Sequence, residues 1–286
     1  MSNDTITSRW KCLFFGMPCA FSAPILSALA RPEIELVGVV SPQSAPDSEP
    51  FRLIRGLRTR ATVTLSGQEG HFAAPRYMVR EINHPRLHAE LASLDPDLII
   101  VACYPSLIPA EIVAMARIAA LNVHPALLPR HRGPDPLFWT FQAGDDQSGV
   151  TLHALSPQYD AGDILLQATT PIGSDESLPP LERRLAQLGG ELVGRLIDDL
   201  PHLPAPVPQD GATATWEPWP RTLDRIIDPG WTTDRARRFI AGAAATHGPL
   251  TYRADQQSVS ITGLAGPGAG REIRLRDGSL FVAWRS

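Results

Sequence analysis

Asn122 and His124 stand two residues apart, and Asp160 follows the histidine by 36 residues. An amide, an imidazole and a carboxylate in one small volume can move an acyl group. The amide and the imidazole can donate to an oxyanion, and such donors act most strongly where water is excluded. The imidazole can shuttle a proton near pH 7. A carboxylate beside it orients the ring and raises its pKa. In an extended segment residues i and i+2 share a side, so Asn122 and His124 can face one volume. Asp160 and its neighbour Asp163 both qualify as the carboxylate, and spacing alone does not choose between them.

The surrounding pattern predicts the elements that must hold these groups. Lys11 to Phe15 is a short apolar run closed by Gly16, and Ala23 to Ala30 is apolar at helical spacing. Glu35 to Val40 reads as a strand. Asp97 to Cys103 is a continuous apolar run, which suits a strand buried on both faces. A helix over Pro109 to Arg117 and a strand over Ala119 to His124 follow, then an alternating strand over Val150 to Leu155. Strands alternating with helices predict an α/β unit, a Rossmann-like, mostly parallel sheet with helices on both faces. Its strand ends would carry the site, since ligands bind there in open α/β sheets. Leu181, Leu185, Leu188, Leu192, Leu196 and Leu200 recur at three and four residues, so Asp175 to Leu200 predicts a long helix. Pro201 to Gly211 holds four prolines and reads as a linker. Beyond it we expect a helix capped by Thr233 and short strands at Val259 to Ile261, Glu272 to Leu275 and Ser279 to Val282. The expected domains are 1–203 and a small mixed or all-β domain over 204–286. Ser41 to Pro75 interrupts the alternation, and so long a loop is usually functional or disordered.

Composition narrows the function classes. The 286 residues carry a formal net charge of -4 and a pI near 6.1, so no global field draws the chain to nucleic acid or anionic lipid. Lys11 is the one lysine against 25 arginines. Cys12, Cys19 and Cys103 fit no metal or disulfide spacing. With an N-terminus that lacks a signal-peptide pattern, they predict a reducing, cytoplasmic setting. No apolar run reaches the roughly 18 residues of a membrane helix.

Three stretches together carry a family resemblance: Asn122-Val-His-Pro-Ala-Leu-Leu-Pro-Arg-His-Arg-Gly133, Gly144-Asp-Asp-Gln-Ser-Gly-Val150 and Tyr159-Asp-Ala-Gly-Asp-Ile164. The chain resembles the folate-dependent formyltransferases, continuously from Lys11 to Leu200 and again at Ala214-Thr-Trp and Ile226 to Phe239. The resemblance implies formyl transfer from 10-formyltetrahydrofolate, with Asn122, His124 and Asp160 as catalytic residues and Asp163 as structural. It also implies that Tyr104, Pro105, Ser106 and Leu107, with Ser156, Pro157, Gln158 and Tyr159, line the pterin pocket. Cys103-Tyr104-Pro105 departs from the commoner Ala-Tyr-Gly. Backbone groups can read a pterin edge, so the departure does not exclude folate. The C-terminal domain would be OB-like, a fold that can bind nucleic acid.

The acceptor is a separate question. Relatives acting on tRNA read Arg-Gly-Ala-Ala-Pro where this chain reads Arg132-Gly-Pro-Asp-Pro136. Asp135 either meets a small amine or caps the next helix, and Arg130, His131 and Arg132 either meet an anion or form a solvated loop. From Asp210 onward ten arginines face eight acidic residues, a small excess for a tRNA-binding face. Arg52, Arg55, Arg58 and Arg60 form a further basic cluster. This balance favours a small amine: an amino sugar, an amino acid derivative or a siderophore precursor. Methionyl-tRNA is the alternative acceptor, and a hydrolase or a folate-binding scaffold are further ones. The oligomeric state stays unassigned.

Overall fold

In the computed structural model the described residues of the first two-thirds of the chain form β1 (Trp10–Gly16), α1 (Ser22–Ala28), β2 (Ile34–Pro42), β3 (Phe51–Ile54), β4 (Thr62–Leu65), β5 (Gln68–His71), β6 (Arg76–Val79), α2 (Pro85–Ala92), β7 (Leu98–Ala102), α3 (Ala110–Val113), β8 (Ala119–His124), α4 (Pro136–Ala143), β9 (Gln147–Ala154), β10 (Ile164–Pro171) and α5 (Leu178–Asp198). The structure describes residues 9–43, 51–54, 62–65, 68–71, 74–254 and 257–285. The N-terminal segment 1–8, Arg55, Arg58, Arg60 and the side chain of Arg52 lie outside them.

The main sheet has the order β10-β9-β8-β7-β1-β2-β6-β3. The run β8-β7-β1-β2-β6 is parallel throughout. β9 joins β8 antiparallel and β3 joins β6 antiparallel. The sheet is therefore mostly parallel, as the alternating pattern predicts. β7 lies inside the sheet between β8 and β1, and its five consecutive apolar residues are all buried, as a strand covered on both faces requires.

The chain divides into two compact units that interleave in sequence. One comprises Met1–His124, Val150–Ala168 and Leu185–Gly211, the other Pro125–Gly149, Thr169–Arg184 and Ala212–Ser286. In the first, Leu13, Phe15, Val40, Leu87, Leu91, Ile99 and Ile112 pack into one core. Asp97 is buried at its edge, where its carboxylate accepts from the Lys11 N–H at 2.8 Å and from Arg117 Nε at 2.9 Å. That ion pair shortens the helix expected over Pro109 to Arg117. Only Ala110–Val113 is α-helical, and Met115 and Ala116 make tighter bonds to Ile112 and Val113. Arg117 is drawn instead to Asp97 and to the Pro96 carbonyl, which sets up β8 two residues on.

The second unit carries a mixed sheet of β11 (Ile226–Ile227), β12 (Leu250–Ala254), β13 (Gln257–Leu264), β14 (Arg271–Leu275) and β15 (Gly278–Arg285), with α6 (Thr233–Ala243). α6 begins one residue from where the sequence places its cap. The Thr232 hydroxyl accepts from the Arg235 N–H at 3.2 Å, while the Thr233 N–H donates to Asp277 at 2.7 Å. Asp135 caps α4 by accepting from the Phe138 N–H and pairs with His247 at 2.9 Å. Of the two roles open to it, the cap is therefore filled.

His131 is buried between two carboxylates, 2.9 Å from Asp145 and 3.5 Å from Glu217, with Arg130 bonded to Asp145 at 3.0 Å. Burial pulls the imidazole pKa down, but the two carboxylates outweigh it and hold His131 above its usual value of 6.5. A raised folded value means that this stabilisation is complete below about pH 6.5 and is lost as pH rises through the folded value. Thermal unfolding from pH 6 to 9 should show the parent losing stability as pH rises and His131→Gln losing less. Parallel curves would contradict the pairing.

Candidate functional site

β8 and β9 pair antiparallel with Asn122 opposite His153 and His124 opposite Thr151. The register brings two histidines and an amide to one stretch of two neighbouring strands. The loop after β9 returns Asp160 to the same place. Asp160 Oδ1 lies 3.2 Å from Asn122 Nδ2, 3.5 Å from His124 Nδ1 and 3.6 Å from His153 Nε2. All three partners and the carboxylate are largely shielded: the side chains of His124, His153 and Asp160 are 5%, 1% and 12% exposed. In such surroundings charge interactions are stronger than in water. Asn122, His124 and Asp160 are thus brought together as the sequence predicts, and it is the Asp160 carboxylate that reaches them.

His153 is the member the sequence does not announce. Its Nδ1 lies 2.9 Å from the Ala154 carbonyl. A carbonyl only accepts, so Nδ1 carries the proton and Nε2 offers a lone pair. Asn122 Nδ2 fills that lone pair at 3.1 Å. The amide nitrogen is therefore turned toward His153 and Asp160 together. The alternation of Val150 to Leu155 is visible in the sequence, but the register that sets His153 opposite Asn122 is not.

Backbone geometry holds Asp160 in place. It adopts φ +52, a left-handed conformation that costs a non-glycine residue energy and needs support. Gln209 supplies it: Nε2 donates to the carbonyls of Asp160 and Gly162 at 2.8 and 2.7 Å. Val207 exchanges backbone hydrogen bonds with Ile164 at 2.8 Å. The proline-rich stretch that reads as a linker is thus a clamp on the loop that carries Asp160. Gly162 is fixed by close approach, because a Cβ there would lie 1.9 Å from the Ala154 carbonyl oxygen.

Beside this cluster a slot runs between two loops. Tyr104, Ser106, Leu107, Ser156, Gln158 and Tyr159 line it, with Val101, Ile108, Leu155, Asn122, His153 and Asp160. Pro105 and Pro157 do not. The Tyr159 hydroxyl accepts from the Leu107 N–H at 3.1 Å and ties the loops together. Tyr104 packs edge-on against Phe15, and burial pushes its hydroxyl up to about 12, so it stays protonated. Among the described residues no cluster of ligating side chains could hold a metal ion, and no helix is long and apolar enough to cross a membrane.

Residues 38–197 match the family model described as "Formyl transferase", more than half of the chain. The chain belongs to the folate-dependent formyltransferase family. Members are enzymes that transfer formyl groups from 10-formyltetrahydrofolate. A methionyl-tRNA formyltransferase of Citrifermentans bemidjiense is 29% identical over 96% of this chain and 87% of its own length. Two solved structures share the fold at a TM-score of 0.59. One is HypX from Aquifex aeolicus in complex with tetrahydrofolic acid, 21% identical over 96% of this chain. This chain spans only 44% of HypX. The other is a sugar N-formyltransferase from Shewanella, 17% identical over 88% of this chain and 96% of its own.

The slot suits the formyltransferase cofactor. Apolar walls at Val101, Ile108 and Leu155 fit a flat ring, and polar groups converge at the Asn122, His153 and Asp160 end.

Gly162→Ala should cost about 1–3 kcal/mol by overpacking against the Ala154 carbonyl. Gln209→Ala should cost a similar amount by leaving two carbonyls unpaired. Urea unfolding measures both, and parent-like midpoints would mean that the loop is not clamped as described.

Proposed function

We propose that this formyltransferase formylates a primary amine, with Asn122, His124 and Asp160 performing the transfer. The observation that carries this reading is the convergence of Asn122 and His124 on one shielded oxygen, Asp160 Oδ1, at the end of the slot. Bound 10-formyltetrahydrofolate supplies an activated formyl carbon. Asn122 turns one of its two long N–H bonds toward the formyl oxygen as charge develops there, since such contacts tighten only in the reacting complex. The His124 imidazole would take the proton of the attacking nitrogen and return it to the nitrogen of the departing tetrahydrofolate as the old carbon–nitrogen bond breaks, and Asp160 orients the ring and stabilises it when protonated. Tyr104, Ser106, Leu107, Ser156, Gln158 and Tyr159 hold the pterin, and Pro105 and Pro157 shape their loops.

Two observations bear on the amine. Curated relatives at 28–33% identity are methionyl-tRNA formyltransferases, and the similarity to one of them runs through most of its length, the C-terminal region included. We therefore place methionyl-tRNA first, ahead of the small amine that composition favours. The second unit gives it a surface: Arg253 and Arg274 are exposed and alternate with buried Tyr252 and Ile273, so they project from the outer side of the sheet. The small-amine reading keeps one support, the modest excess of ten arginines over eight acidic residues from Asp210 onward.

Release of tetrahydrofolate, measured with charged initiator tRNA and with a panel of amino sugars and amino acid derivatives, separates the two. Release with tRNA alone, with an affinity that falls steeply with salt, supports the first. Release with one small amine would replace it. Release without any acceptor would indicate a hydrolase.

Asn122→Ala should lower turnover by about 100-fold or more, the usual effect of losing an oxyanion donor, while tetrahydrofolate affinity changes little. Equal losses in both would contradict a role confined to the transition state.

A further inference from the structure

Cys19 and Cys103 meet just beyond the ends of two neighbouring strands. β1 and β7 pair in parallel as far as Gly16 opposite Ala102, and the Met17 N–H extends the pairing to the Cys103 carbonyl at 3.1 Å. The chain then turns Cys19 back so that the two thiols hydrogen-bond each other, Cys103 donating to Cys19. The Ser22 N–H donates to the same sulfur at 3.4 Å. The bond from Cys103 is the largest influence on Cys19. Burial opposes it, the bonds from Ser22 and Phe21 add to it, and the thiol is pulled down to about 5. A lowered pKa favours the thiolate, which is the reactive form. Neither cysteine is in a disulfide and both are partly exposed, whereas Cys12 is fully buried and its burial pushes the thiol up, leaving it inert. A low-pKa, accessible thiolate beside a second thiol is the arrangement of a redox-sensing pair.

We propose that Cys19 and Cys103 are a reversible dithiol–disulfide modification site, oxidised by peroxides, at the entrance to the loop that carries Tyr104. The Cys19 sulfur attacks one peroxide oxygen and the O–O bond breaks. The departing oxygen leaves as hydroxide and takes a proton to become water, and Cys19 becomes a sulfenic acid. Cys103 then attacks the Cys19 sulfur. The S–O bond breaks, and the hydroxyl leaves as water with the Cys103 proton. Two thiols are oxidised, and one peroxide is reduced to two waters. A dithiol reductant reverses the change. The site does not rest on the formyltransferase reading, and its test needs no turnover.

The test is hydrogen peroxide added to the folded full chain, with thiols then counted under denaturing conditions and the intact mass recorded. Two of the three thiols should disappear, the mass should fall by two hydrogens, and peptide mapping should find Cys19 joined to Cys103. Dithiothreitol should restore all three. Cys103→Ser should stop at a sulfenic acid on Cys19, captured by dimedone. Three unchanged thiols, a Cys19 sulfinic acid without a crosslink, or a crosslink that includes Cys12 would each overturn the proposal.

Discussion

Asp160 Oδ1 is the atom around which the first unit of this protein is arranged. It faces an amide nitrogen and two imidazole nitrogens within 3.6 Å, in a pocket that leaves the carboxylate 12% exposed. Burying a carboxylate is unfavourable unless donors surround it. Asn122 and His124 therefore stabilise the carboxylate as much as it orients them, while His153, whose Nε2 lone pair is taken by Asn122, acts through that amide. The loop's other features follow from holding that oxygen still. Asp160 accepts a left-handed backbone, Gly162 permits the approach to Ala154, and Gln209 ties both carbonyls down.

The sheet supplies the rigid frame for this arrangement. β7 and β8 are parallel neighbours, so the loop after β7 and the end of β8 open on the same edge of the sheet, where open α/β sheets bind ligands. β9 then adds antiparallel, and its register sets His153 opposite Asn122. His153 fixes which way the Asn122 amide points, because its own Nδ1 proton is committed to the Ala154 carbonyl. A neighbouring strand's side chain thus selects the orientation of the amide that we propose acts in the transfer. The Tyr159–Leu107 hydrogen bond joins the two loops of the slot, so its width and the position of Asp160 are coupled through adjacent residues.

Much of this was legible in the chain, for identifiable reasons. β7 is visible because its hydrophobic run is decided by burial on both faces, and β8 begins and ends where the pattern places it. Asn122 and His124 were visible because extended residues two apart share a side. What escaped depends on contacts distant in sequence. Arg117 is drawn to Asp97 and cuts α3 short. The prolines from Pro201 onward suggest a spacer, yet Val207 and Gln209 bond across to a loop some 45 residues earlier. His153 looked like one position in an alternating strand, and only strand register gives it a partner. Asp160 and Asp163 were equivalent by spacing, and the turn at Asp160 distinguishes them.

If the Asp160 carboxylate orients the transfer chemistry without holding the cofactor, Asp160→Asn, which keeps the side chain's shape and removes its charge, separates the two roles when tetrahydrofolate affinity and turnover are determined together across pH. Affinity should stay within a few-fold of the parent, turnover should fall by about 100-fold or more, and the acid limb of the pH–rate profile should move. Turnover close to the parent's with an unchanged profile would contradict that role and remove Asp160 from the centre of the site.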